Sequence, residues 1–160
     1  MSTTSLQTAA VISGSFLAGA MMSLSLISVP VFLDTTSQAP QLFRQWARTY
    51  QYGHLALPTL SVCTLGLYVL VAFRKRAARR PWLSTLSAGL VTVLMVPFTW
   101  VFMVPTNNEL FRLETVSAGN PNVMGLQAAT ALVAHWSRLH LARSLFPLAG
   151  AALGATTLLE

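Results

Sequence analysis

The sequence predicts an all-α fold, a four-helix transmembrane bundle with short extra helices in its non-cytoplasmic loops. Three observations carry this expectation. Of the 160 residues, 54% are hydrophobic and only 9% are charged, with a mean hydropathy of +0.59. Soluble domains carry about 25% charged residues. Apolar runs longer than about 18 residues recur along the chain, long enough to cross a bilayer. Five of the ten basic residues crowd between Arg74 and Arg80, as in a cytoplasmic loop between spans. Four spans at about 6–33, 53–73, 83–104 and 139–159 use the whole length, so 1–160 reads as a single membrane domain.

The first span, Leu6 to Leu33, would measure about 42 Å as a helix, more than the ~30 Å hydrocarbon core requires. Met1 to Gln7 has no Lys or Arg. A cleaved signal peptide has a basic start and a shorter apolar core, so this span is expected to be retained. Pro30 stands near its exit. Ser13, Gly14, Ala18 and Gly19 are small enough for close helix approach.

Asp34 to Gln51 is a polar connection, and Pro40 suits the first turn of a short helix. That helix would align Leu42, Phe43, Trp46 and Tyr50. Trp46, Tyr50 and Tyr52 fit an interfacial aromatic belt or the wall of an aromatic ligand pocket. The second span opens at Gly53 and His54, and Pro58 is tolerable near a helix start. Arg74 to Pro81 is the basic loop, after which the third span runs to about Val104. Gly119, Asn120 and Pro121 mark a turn. Helical periodicity returns from Val123. In the last span Gly150 and Gly154 form a GxxxG pair suited to packing within the bundle.

These features exclude several classes. The basic run lacks interleaved aromatics and a soluble domain, so no nucleic-acid partner is expected. Cys63 is alone and has neither a disulfide partner nor metal-ligand company. A single polar corner, with no chain of ionisable groups across the bilayer, argues against a transporter. With the 74–80 loop cytoplasmic, both termini are cytoplasmic and the 34–52 and 105–138 connections share the opposite side. His54, Asn107, Asn108, Glu109, Trp136 and His140 then fall near one membrane face.

Two polar clusters follow. The third span ends abruptly in Thr106, Asn107, Asn108 and Glu109, groups that are costly at the membrane boundary without partners or a polar ligand. Near the last span, Trp136, His140 and Arg143 lie within about 60° of one helix face. Arg143 in a span needs a partner or a wet cavity. Glu109 is the candidate counter-charge, in a pair that is either structural or part of a site.

The PFT run at Pro97–Thr99, the PTNNEL run at Pro105–Leu110 and the WxxxHxxR run at Trp136–Arg143 resemble the anthrone oxygenase family. These are small four-helix membrane proteins that include fungal polyketide-pathway members. The resemblance covers essentially the whole chain. It implies oxidation of an anthrone to the anthraquinone by molecular oxygen as co-substrate, in secondary metabolism, in a multi-pass membrane protein of the endoplasmic reticulum. It also implies no metal and no cofactor; the sequence has no glycine-rich nucleotide fingerprint and no metal-ligand cluster.

The chemistry asks for a base near neutral pKa, a cation for the anthrolate, and an apolar pocket. His140 is the expected base, with His54 in reserve. Arg143 would hold the anion. Asn107 and Asn108 would hydrogen-bond the carbonyl and the peri-hydroxyls, and Trp136 would stack on the polycyclic aromatic substrate. His54, Glu109 and Thr106 complete the expected binding set. The bilayer is the surrounding partner, and association with other enzymes of the pathway is compatible. The alternative is a non-catalytic membrane scaffold for such a pathway.

Overall fold

The computed structural model describes residues 2–158. The chain forms four long helices and, among the described residues, no strand. They are α1 (Thr3–Thr35), α2 (Ala39–Ala77) and α3 (Leu83–Ser117), followed by α4 (Leu126–Thr156). The first three are long and apolar enough to cross a membrane. α4, with 31 residues, has the length, at 1.5 Å per residue; His140 and Arg143 lower the hydropathy of its apolar half. The predicted end of the last span at Leu159 lies outside the described residues.

Each helix packs against its chain neighbour, and α4 closes the ring against α1. The outside is apolar: Ile12, Phe16, Val62, Phe73, Trp100 and Phe102 are each more than half exposed. A surface so greasy matches lipid rather than water. The chain is a membrane-type helical bundle.

The extra helices expected in the loops are present as extensions of the spans. The helix begun at Pro40 runs without a break into the second span. Gly53 does not interrupt it, because a helical glycine costs only about 1 kcal/mol relative to alanine. The segment after Pro105 likewise continues α3. At the other end of the bundle, Arg74, Lys75 and Arg76 occupy the last turn of α2 rather than a loop. Lys75 is buried, and its Nζ donates to the Thr157 carbonyl at 2.8 Å. Gln7 Nε2 reaches Thr157 Oγ1 at 2.6 Å, fastening α1 to the end of α4.

Two turns are widened to π geometry, Leu24–Ser28 in α1 and Thr99–Met103 in α3. Each ends at a Val-Pro dipeptide. The Val29 N–H bonds back to the Leu24 carbonyl, and the Val104 N–H to the Thr99 carbonyl, both five residues away. The prolines explain this. Pro30 and Pro105 have no N–H, and in α register their rings would clash with the carbonyls four residues back. Widening the preceding turn relieves the clash. Pro30 stands near the exit of the span, as expected, and the helix passes through it to end at Thr35.

The glycine pair packs inside the bundle, as expected. A Cβ on Gly150 would overlap Thr92 Oγ1 and sit 2.7 Å from the Ala88 carbonyl oxygen, and one on Gly154 would fall on the Tyr68 ring. α4 can approach α3 and α2 this closely only without side chains there.

Candidate active site

Where the two widened turns face α4, the bundle holds a cavity of about 340 Å³. This size is typical of small-molecule pockets. α4 contributes Trp136, His140 and Arg143, one stripe at i, i+4 and i+7. The opposing walls include Leu24, Tyr50, His54, Thr99 and Asn107. Polar groups from α2, α3 and α4 therefore share one largely apolar chamber.

Asn107 and Trp136 are both buried, and the indole Nε1 donates to Asn107 Oδ1 at 2.9 Å. An indole nitrogen can only donate, so the amide oxygen must face it. The amide nitrogen of Asn107 is left with no protein acceptor among the described residues and can donate to a ligand. Trp136 stands edge-on to Trp46, with centroids 5.8 Å apart, and tilts over His140 at 4.8 Å. Trp46 is itself core, 1% exposed, which ties the site to the packed aromatic cluster behind it.

His140 is buried, with Nδ1 3.2 Å from Ser25 Oγ in the widened turn of α1. Arg143 donates from Nη1 to Thr99 Oγ1 at 2.9 Å. Thr99 in turn donates to the Met95 carbonyl at 2.7 Å, so its lone pairs are the side offered to the guanidinium. Arg143 Nε is buried and has no hydrogen-bond partner. No acidic side chain among the described residues pairs with Arg143. A guanidinium held in this way presents uncompensated positive charge to whatever fills the cavity.

The structure thus brings together His140, Arg143, Asn107, Trp136 and His54. His54 sits at the rim, exposed, stacked on Tyr50 at 5.4 Å, with Nδ1 3.0 Å from the Gln51 carbonyl oxygen. Thr106, Asn108 and Glu109 are not brought in. Successive residues turn by about 100°, so the helix that aims Asn107 inward carries Asn108 to the exposed face. Glu109 corrects the expected counter-charge: it forms a two-pronged ion pair with Arg112, at 2.6 and 2.8 Å, on the outside of α3. One turn of helix separates those partners, whereas Arg143 reaches α3 at Thr99, ten residues and nearly three turns from Glu109. Of the three candidate belt residues, Trp46 is core, Tyr50 walls the cavity, and Tyr52 is 85% exposed.

Ser25 and Thr99 escaped the sequence reading as site residues. Thr99 stood in the PFT run but received no role. Ser25 stood inside the first apolar span and was assigned nothing. The Val-Pro dipeptides a few residues downstream were the available signal. Among the described residues no three His, Cys, Asp or Glu side chains gather as a metal site.

Comparison with known proteins agrees with the resemblance. A family model described as Anthrone oxygenase matches residues 46–153. The chain is 55% identical to anthrone oxygenase AgnL2 of Paecilomyces divaricatus over 157 residues, 97% of this chain and 96% of that protein. It is 52% identical to anthrone oxygenase gedH of Aspergillus terreus, over 89% of this chain and 91% of the relative. It is 42% identical to a noranthrone monooxygenase of Aspergillus flavus, over 91% of this chain and 69% of that one. No solved structure matches the chain. With the family model spanning most of the bundle and relatives of this identity running nearly end to end, the chain belongs to the anthrone oxygenase family.

Proposed function

We propose that this protein oxidises a polyketide-derived anthrone, of the emodin-anthrone type, to the anthraquinone with molecular oxygen and without a cofactor. The names of its relatives support the reaction class. The observation that carries the reading here is the meeting of an imidazole, a guanidinium without an acidic partner and a free amide donor in one apolar chamber.

An anthrone has a doubly benzylic CH2 opposite its carbonyl. His140 removes one of those protons. The electrons move into the ring system and give an aromatic anthrolate, whose oxygen is bound by Arg143 and Asn107. Both donors are held in place beforehand, by Thr99 and by Trp136. The electron-rich carbon then reacts with O2 to form a C–O bond, and protonation gives the hydroperoxide. Loss of the remaining C–H proton and cleavage of the O–O bond release water and leave the new carbonyl. One oxygen atom ends in the quinone and one in water, and the substrate supplies all the electrons. Tyr50 and Trp136 wall the chamber around the rings.

The positive-inside rule supports an orientation with the 74–80 run and both termini cytoplasmic, in the endoplasmic reticulum membrane. The chamber then opens toward the non-cytoplasmic half of the bilayer, where an apolar tricycle partitions.

The test is turnover of emodin anthrone by purified protein in nanodiscs under ¹⁸O2. One labelled atom is expected in the new carbonyl, at a rate above the uncatalysed background. His140→Ala should fall to that background at unchanged protein level. Full activity in His140→Ala removes the imidazole from the mechanism, and no rate above background removes the function.

A further inference from the structure

Residue 25 is gripped twice by α4. Its hydroxyl lies 3.2 Å from His140 Nδ1, and its backbone carbonyl accepts from Ser137 Oγ at 3.4 Å. Ser137 and His140 are three residues apart on one helix, so they meet Ser25 as neighbours on one face. The second contact has a covalent cause. In the widened turn the Val29 N–H goes to Leu24, not to Ser25. The next N–H in that register belongs to residue 30, which is proline and has none. The Ser25 carbonyl is therefore left for an outside donor, and Ser137 supplies it.

The hydroxyl contact commits one imidazole nitrogen. The other, Nε2, has no protein partner among the described residues, and the ring lines the cavity. Which nitrogen carries the proton of a neutral imidazole is set by the bond the opposite nitrogen makes. Ser25 Oγ has no other protein partner among the described residues, and its lone pairs are available to an Nδ1–H.

We propose that Ser25 is the positioning residue of His140: its hydroxyl accepts from Nδ1–H, holds the ring against α1, and leaves the Nε2 lone pair facing the cavity. This rests on the reading of His140 as the base. The arrangement follows the logic of an oriented base, in which a third group fixes both tautomer and aim. Its unusual element is the support, a turn widened by Pro30.

The test combines steady-state kinetics in nanodiscs with the imidazole ¹⁵N spectrum of histidine-labelled protein. Ser25→Ala should lower kcat about ten- to a hundredfold, a part of the ~10²–10⁴-fold that a positioned base provides, with KM within about twofold. Ser25→Thr, which keeps the hydroxyl, should recover most of the loss. The wild-type His140 signal should be that of the Nδ1–H tautomer, and Ser25→Ala should shift it toward a mixture. A wild-type kcat in Ser25→Ala, alongside an inactive His140→Ala, overturns the positioning role and leaves the base intact. If His140→Ala is fully active, the base reading has failed, and the spectrum alone decides the positioning: an unchanged tautomer in Ser25→Ala refutes it. An Nε2–H signal in the wild type also refutes it.

Discussion

Trp136→Phe removes one N–H from the site and keeps most of a ring. In the wild type the indole nitrogen lies 2.9 Å from Asn107 Oδ1, with the two residues 2% and 4% exposed. At that depth no bulk water replaces the lost donor. Leaving a buried carbonyl unpaired costs about 1–3 kcal/mol. The amide escapes that penalty only by turning over, which exchanges its oxygen for its nitrogen. It then offers an acceptor to the substrate oxygen where a donor stood. If the whole penalty appears as lost productive orientation, it amounts to about five- to 150-fold in kcat/KM. The assay follows the anthraquinone chromophore in nanodiscs, with the protein-free rate subtracted. Asn107→Leu and the double variant complete a cycle. Once Asn107 is gone, Trp136→Phe should change the rate by less than about twofold, because the two residues act through one bond. Fully additive losses, or a wild-type rate in Trp136→Phe beside a slow Asn107→Leu, would show that the indole does not set the amide.

Other changes separate the remaining parts. Arg143→Leu should reduce kcat/KM by at least about a hundredfold, since one preorganised donor to a developing oxyanion is worth ~10²–10³; Arg143→Lys, which keeps charge but loses the planar fork, should fall between, by the same absorbance assay. Glu109→Gln should leave turnover within about twofold, because its carboxylate faces Arg112 outside the bundle; a large loss would return Glu109 to the site. Gly150→Val should reduce folded yield by size-exclusion chromatography in detergent, by about 1–3 kcal/mol of overpacking, because the Ala88 backbone oxygen cannot move aside. Thr99→Val should lower kcat/KM about tenfold, the order of one hydrogen bond to a charged group, without changing thermal stability in the same detergent by more than a few degrees.

Much of this bundle was legible in the chain. Apolar run length located α1, α2 and α3, and the WxxxHxxR spacing put three site residues on one face of α4. Simple geometry on a regular helix was enough, because α4 is regular through that stretch. Legibility failed where a residue's direction depends on its partner. Glu109 looked like the counter-ion because it was the nearest carboxylate in the drawn topology, yet Arg112, three residues on, was the easier match. Asn108 looked equivalent to Asn107 until the helix phase was fixed by Trp136. Ser25 was hidden for a different reason. Period-3.6 reasoning assumes an unbroken α register, and the turn that carries Ser25 is not one.

Each of those widened turns holds one residue more than its α-helical equivalent. With about 100° of rotation per residue, the wheel drawn for the half of α1 before Leu24 is out of step with the wheel after Val29. The same holds in α3 on either side of Thr99–Met103. Pro30 and Pro105 thus work as phase-setters rather than as breaks. Were the lost N–H restored at residue 30, the turn could tighten, and the half of α1 after Val29 would be turned by about 100° relative to the half before Leu24.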